Sequence, residues 1–138
     1  MANVNIPYGQ AGVAAFEQGD TFSQAELFNS AIPQPVTEDF EVAASTTLVD
    51  RAVVGLDATG KLVMAKTSST AVVPIGVVPD GGGIVTDASN PKRIPIYRAG
   101  NFNPVALIYH ADYDTLAKKC AAFRNSPTPT NIVVRPRL

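Results

Sequence analysis

The sequence has 138 residues, a formal net charge of −1, one cysteine and one histidine. This length suits a single domain with a sizeable core, and one residue of each kind excludes an internal disulfide and a histidine-rich metal site. Eleven prolines and ten glycines among short Val/Ile runs favour turns and short strands. There is no apolar run of roughly 18 residues, so we expect no membrane partner.

The charges are distributed unevenly along the chain. Residues 1–50 contain seven acidic and no basic residues, whereas residues 51–138 contain eleven basic and five acidic residues, which gives charges of −7 and +6. These two parts either neutralise each other, or the acidic leader reaches a positively charged partner.

We interpret residues 1–35 as an N-terminal arm. The alternation in NVNIPY (3–8) predicts a short extended strand, and Pro7 restricts it to an edge or added strand. Ser23 and Glu26 fit a capping box, which predicts a possible short helix near 23–30 before Pro33. So short a helix needs a surface to lie on, either the protein's own body or a neighbour.

Residues 36–138 are predicted to form one β-rich domain. The segment 51–66 reads as a hairpin, and Asp57-Ala58-Thr59-Gly60 has the chemistry of a type I turn with a G1 bulge. AVVPIGVVP (71–79) predicts another buried strand. The glycine-rich segment 80–92 predicts a long loop whose IVT centre pairs with another strand.

The most hydrophobic third of the sequence follows this loop. Strand 94–98 is predicted to lie at an edge because of Pro95, and to run into a break at Gly100-Asn101, which can take a positive φ and reverse or bulge the chain. Residues 105–109 are predicted to pack inward. One short helix is expected near 113–124 with Asp112 or Asp114 as its N-cap. Its apolar stripe would be Leu116, Cys120 and Phe123, with Lys118 and Lys119 facing away, and NIVV (131–134) would close the fold as a strand.

The residues that could carry chemistry are few, and structural roles explain them better. His110 fits a strand-to-helix junction, Cys120 a small core residue, and Asp112 and Asp114 helix capping. Gly81-Gly82-Gly83 lacks the Lys-Ser/Thr and helix of a phosphate loop, and the basic residues are too dispersed for nucleic-acid binding. We therefore predict no catalytic residue, metal site, cofactor, small-molecule substrate or direct nucleic-acid partner.

The order of motifs resembles the lambda-type phage head decoration proteins over about residues 45–135. The motifs that carry this resemblance are the hairpin AVVGLDATGKLVMA, the run PIGVV, the strand ending Tyr97-x-x-Gly100-x-Phe102, and the helix with Lys118, Lys119, Ala122 and Phe123. The leader is longer and more hydrophobic than the polar arm typical of that family.

This resemblance implies a mainly β (α+β) fold: a small, compact domain with little helix that assembles as a homotrimer. It implies a capsid decoration, or cement, protein on the outer surface of the virion. Such a trimer binds the major capsid protein of the expanded head at threefold and quasi-threefold sites and stabilises the head against internal DNA pressure. The alternatives are a tail or fibre β module, or a small enzyme using His110 and Asp112.

If the resemblance holds, the arm would make the capsid contact. Val4, Ile6 and Tyr8 would add a strand to an exposed sheet edge of the shell. Further apolar side chains of the arm would fill grooves there, and the predicted contact residues are Val4, Ile6, Tyr8, Val13, Phe16, Phe22, Leu27 and Phe28. Three arms on one trimer would bind as a multivalent unit.

Overall fold

A computed structural model describes residues 26–124, 126 and 130–136. Within these ranges the chain forms nine strands and one short helix. In chain order they are β1 (Phe28–Ser30), β2 (Val36–Val42), β3 (Thr47–Leu48), β4 (Val53–Leu56), β5 (Leu62–Met64), β6 (Pro74–Val77), β7 (Ile84–Val85), β8 (Lys92–Phe102), α1 (Leu116–Ala121) and β9 (Asn131–Val134). The predicted mainly β fold with one short helix is confirmed.

Five strands form a closed ring in the order β8, β2, β5, β4, β6 and back to β8. The long strand β8 runs antiparallel to β2 over 36–42, and the pair Val77–Tyr97 joins β6 to β8 and closes the ring. Beyond the ring, the C-terminal end of β8 pairs with β1 on one side and with the parallel strand β9 on the other. β3 and β7 form a separate two-stranded sheet.

The core has two layers because neighbouring residues of a strand point to opposite faces. Val54, Ile75, Ile94 and Ile96 belong to a cluster inside the ring. Val53 belongs to a second cluster outside it, covered by α1, β9 and the start of the described chain; its members are Leu27, Val53, Ala65, Val77, Phe102, Ala106, Leu107, Phe123 and Val134. β8 therefore separates two apolar layers.

Local turn chemistry predicted the β4–β5 hairpin correctly. The Gly60 amide donates to the Asp57 carbonyl at 3.0 Å, the Asp57 amide donates to the Lys61 carbonyl at 2.9 Å, and Gly60 has a φ of +83°. This is the predicted type I turn with a G1 bulge. The predicted pairing of the IVT segment is also confirmed, because β7 pairs with β3.

The prediction for 94–109 is partly wrong. Gly100 has a φ of +149°, yet β8 continues through it to Phe102, because β1 and β9 pair with both sides of this end of the strand. Pro95 itself pairs only with β2, so its predicted edge position agrees with the structure, although β8 is paired on both sides farther along. Within 105–109, Ala106 and Leu107 are buried as predicted, but Val105 is 75% exposed.

The predicted helix is real but shorter, and its cap is different. Thr115, not Asp112 or Asp114, is the N-cap, and its hydroxyl accepts a hydrogen bond from the Lys118 amide at 3.2 Å. A threonine at this place gives the same capping geometry as an aspartate. The predicted stripe holds for Phe123, which is buried, and fails for Leu116, which is 51% exposed.

The structure also corrects the prediction of a possible short helix near 23–30. Residues 23–25 lie outside the described ranges, and Phe28–Ser30 form strand β1 instead. The free edge at the end of β8 offers ladder hydrogen bonds that an isolated turn of helix could not match. β1 thus lies inside the segment that the sequence analysis assigned to the arm.

Candidate functional site

The start of the described chain is fixed to the body by backbone and amide hydrogen bonds; we call residues 26–30 the arm root. The amide of Asn103 donates to the carbonyl of Leu27 at 2.9 Å, and its side chain donates to the carbonyl of Glu26 at 3.2 Å. Asn103 itself is buried, and its two bonds fix the direction of the chain at residues 26 and 27.

Asn29 joins the arm root to both strand β8 and the chain after β9. Its amide nitrogen donates to the carbonyl of Phe102 at 3.0 Å and to the carbonyl of Arg135 at 2.7 Å. The amide of Asn101 in turn donates to the hydroxyl of Ser30 at 3.1 Å. The described chain therefore begins beside the C-terminal end of β8 and next to residue 135.

Aromatic packing reinforces the arm root. The ring of Phe28 lies 5.2 Å from that of Tyr97 and 5.0 Å from that of Phe102. Leu27 is buried in the same outer cluster. Sequence reasoning left open whether these apolar side chains rest on the protein's own body or on a neighbour; in this structure they rest on the body.

The other predicted contact residues all lie outside the described ranges. These are Val4, Ile6, Tyr8, Val13, Phe16 and Phe22. Leu27 belongs to the cluster outside the ring and Phe28 packs against it. An arm contact with a partner would therefore be made through the remaining six side chains.

Apolar side chains are exposed near the arm root. Val105, two residues beyond Asn103, is 75% exposed, and Ile32, just after β1, is 80% exposed. Ile108 is 45% exposed on the same 104–109 segment. Sequence reasoning missed Val105 and Ile108 because a continuous apolar run does not reveal which of its side chains point outward.

Four acidic residues of the described chain are bound to basic neighbours. Arg51 meets Asp80 at 2.6 Å and thereby lowers the pKa of that carboxyl group; the other pairs are Arg98–Glu38, Lys61–Glu41 and Lys118–Asp114. Glu38 and Glu41 were counted with the acidic leader, so part of its charge is neutralised within the fold, as the simpler interpretation predicted.

His110 and Asp112 are the two residues on which the enzymatic alternative depends. In the structure Asp112 has a structural role. The carboxylate of Asp112 accepts hydrogen bonds from the Thr67 amide at 3.0 Å and from the Ser68 amide and hydroxyl at 2.9 and 2.7 Å. The Ser68 bonds are the main reason that the pKa of Asp112 falls to about 2. A carboxylate with so low a pKa is a weak base. Its role here is to hold the 66–70 and 110–114 loops together.

Backbone amides of the triple-glycine loop bind a carboxylate of the protein itself. The amides of Gly81 and Gly83 donate to Asp50 at 3.0 and 2.7 Å. Backbone amides that could cradle a phosphate are thus already paired, which favours the structural interpretation. In the described part of the chain, no three His, Cys, Asp or Glu side chains lie close enough to hold a metal ion.

Comparison with known families identifies this fold. The family model of bacteriophage lambda head decoration protein D matches residues 17–128, more than half of the chain. The chain belongs to this family. The resemblance that the sequence analysis proposed over 45–135 is confirmed and extends into the predicted arm. No individual curated protein matches the chain.

Membership gives the chain a structural role in the phage head and a location in the virion capsid. Head decoration proteins are a structural family and not an enzyme family. A search of the described residues for a helix long and apolar enough to cross a membrane finds none.

Proposed function

We propose that this decoration protein is a homotrimeric cement protein. It binds the outer surface of the expanded phage head at threefold and quasi-threefold positions, contacts the major capsid protein there, and stabilises the shell against internal DNA pressure. The observation that carries this proposal is the family match over 17–128. A rigid two-layered body with a firmly held arm root supports it.

The arm would supply the attachment. Residues 1–25 join the described chain at one fixed point, because Asn103 holds residues 26 and 27. A segment of this length reaches at most about 85 Å when extended, enough to cross onto an adjacent capsid subunit. Ordering each arm costs free energy, so binding would depend on three arms acting together.

The direct test is to mix the purified protein with emptied, expanded heads and to look for density at threefold positions by electron microscopy. The wild-type protein is expected to occupy them, and sedimentation is expected to give three times the mass of the chain. A protein that stays monomeric at high concentration and ignores expanded heads would refute the proposal.

The arm contact is tested in the full-length chain by the triple variant Val4→Asp, Ile6→Asp and Tyr8→Asp. We expect it to lose head binding and to keep its fold and its oligomeric state, because both core clusters of the described residues are built from residue 27 onward. The matched control Asn3→Asp, Asn5→Asp and Gln10→Asp adds the same charge at neighbouring polar positions and is expected to bind. Equal occupancy by both variants would show that the arm strand is not the contact.

A further inference from the structure

A shallow groove of about 310 Å³ lies between the end of α1 and strand β9. Cys120, Phe123 and Arg124 line one side, and residues 132–135 line the other. Its floor is apolar, with Phe123 and Val134 buried and Val133 40% exposed.

Two exposed arginines flank this groove. Neither Arg124 nor Arg135 forms an ion pair with a carboxylate of the described chain, whereas four other basic residues do. Two guanidinium groups that have no carboxylate partner among the described residues, beside an apolar floor, are complementary to a segment that carries both carboxylates and large apolar side chains.

The chain itself contains such a segment directly before the arm root. FEQGDTFSQA (16–25) has two carboxylates, Glu17 and Asp20, two phenylalanines, and no basic residue. It re-enters the described chain at Glu26. The next residue, Leu27, packs in the same cluster as Phe123 and Val134 of the groove floor.

The distances permit this contact within one molecule. Asn29 of the arm root donates to the carbonyl of Arg135 at 2.7 Å, so the arm leaves the body at one end of the groove. The six Cα–Cα steps from Asp20 to Glu26 can span about 20 Å, and the four residues of β9 extend over about 13 Å. A tethered segment this short has an effective concentration in the millimolar range or above, which favours its own groove over that of another molecule.

We propose that residues 16–25 dock in the α1–β9 groove of their own chain when the protein is free. Glu17 and Asp20 lie against Arg124 and Arg135, and Phe16 and Phe22 cover the apolar floor. This goes beyond the proposed attachment to the shell, because it concerns the protein before it meets a head. The groove acts as a latch that holds the arm until a partner displaces it.

Cys120 provides a direct test, because it is the only cysteine of the chain and it lines the groove. A docked arm shields its thiol from a neutral maleimide. In the full-length double variant Glu17→Arg/Asp20→Arg we expect the labelling rate to rise roughly two- to thirtyfold, since two exposed ion pairs contribute roughly 0.2–1 kcal/mol each. Reversing the two charges of the groove as well, with Arg124→Glu/Arg135→Glu, is expected to restore the slow rate.

Rates are compared on the alkaline plateau of the pH–rate curve, so that altered charge near Cys120 does not change the fraction of thiolate. The control variant Lys92→Glu/Arg93→Glu reverses two exposed charges at the opposite end of β8, about 30 Å away. It is expected to label at the wild-type rate. An unchanged rate in the arm variant, or a raised rate that the groove reversal does not restore, would refute the latch.

A mixing experiment distinguishes the chain's own arm from that of a neighbour. Wild-type chains are refolded with an excess of chains carrying Glu17→Arg, Asp20→Arg and Cys120→Ser, so that only the wild-type thiol reacts. If each chain covers its own groove, this thiol stays protected. A rate that rises with the excess would assign the covering arm to another subunit and overturn the proposal.

Discussion

Asp112 shows how this fold uses its charged side chains. It is one of two acidic residues just before the helix, and its carboxylate accepts three hydrogen bonds from Thr67 and Ser68. Its partner loop is more than forty residues away in the sequence, so no local pattern could reveal this role. Sequence reasoning assigned helix capping to Asp112, which is wrong, because Thr115 is the N-cap.

The pKa of Asp112 predicts a pH dependence of stability. Its folded-state pKa of about 2 lies below the ordinary value of 3.8. The stabilisation is therefore fully present above about pH 4 and is lost as the pH falls towards 2. We expect Asp112→Asn to melt at a lower temperature than wild type at pH 6, and the difference in Tm to shrink as the pH falls from 4 to 2.

Thermal unfolding followed by circular dichroism at several pH values measures this difference. Ser68→Ala keeps the carboxylate and removes one donor, so its Tm is expected to lie between those of wild type and Asp112→Asn. A difference in Tm that stays constant from pH 6 to 2 would contradict the assigned role.

The cap of α1 gives a second prediction at this scale. Thr115→Ala removes the hydroxyl that accepts from the Lys118 amide, and we expect a loss of about 1 kcal/mol in the free energy of unfolding. Asp114→Ala removes an exposed pair with Lys118 and is expected to cost less. Urea unfolding of the two variants distinguishes them, and a larger loss for Asp114→Ala would restore aspartate as the cap.

At the scale of elements, predictions succeeded where the determining interactions are local. The hairpin 53–64 was predictable because Asp57 and Gly60 specify the turn. The continuation of β8 through Gly100 was not, because β1 and β9, which come from far along the chain, pair with its end. The ring closure by β6 and β8 is likewise non-local.

Gly76 permits this closure and can be tested. A β-carbon at this position would lie 2.6 Å from the Ile96 side chain and 2.7 Å from the carbonyl oxygen of Tyr97. Gly76→Ala should force β6 away from β8, and we expect a loss of about 2–3 kcal/mol in the free energy of unfolding. Urea unfolding measures it.

The matched control is Gly60→Asn at the hairpin turn. The space around Gly60 is open, and asparagine tolerates its positive φ, so we expect a loss below about 1 kcal/mol. If Gly76→Ala unfolds at the same urea concentration as this control, the close approach of β6 and β8 does not limit the fold.

At the scale of the whole molecule, two-layered packing produces a body whose attached segment begins at a defined place. The root was assigned to the arm in the sequence analysis, as part of a possible short helix near 23–30 that ends before Pro33. The burial of Leu27 and the pairing of β1 place that root in the body. Which surface such a short apolar segment chooses depends on the partner strand β8, and a local pattern does not contain that information.

Because the arm is acidic, we expect its affinity for the phage head to depend on the salt concentration. Glu38 and Glu41 are paired within the body, and residues 1–25 contain two further carboxylates, Glu17 and Asp20, for a basic partner. We expect the affinity for expanded heads to fall as salt rises from low concentration to about 0.5 M, where screening shortens to a few ångströms. Cosedimentation with emptied heads over a salt series measures it.

The variant Glu17→Gln/Asp20→Gln separates the contribution of these carboxylates from that of the apolar side chains. If the carboxylates contribute, its affinity should vary less with salt than that of wild type, while the apolar contacts of the arm persist in both. Binding that is indifferent to salt in both proteins would mean that apolar burial supplies the affinity. In that case Phe16→Ala/Phe22→Ala should weaken it at every salt concentration, because the loss of buried apolar area is not screened by ions.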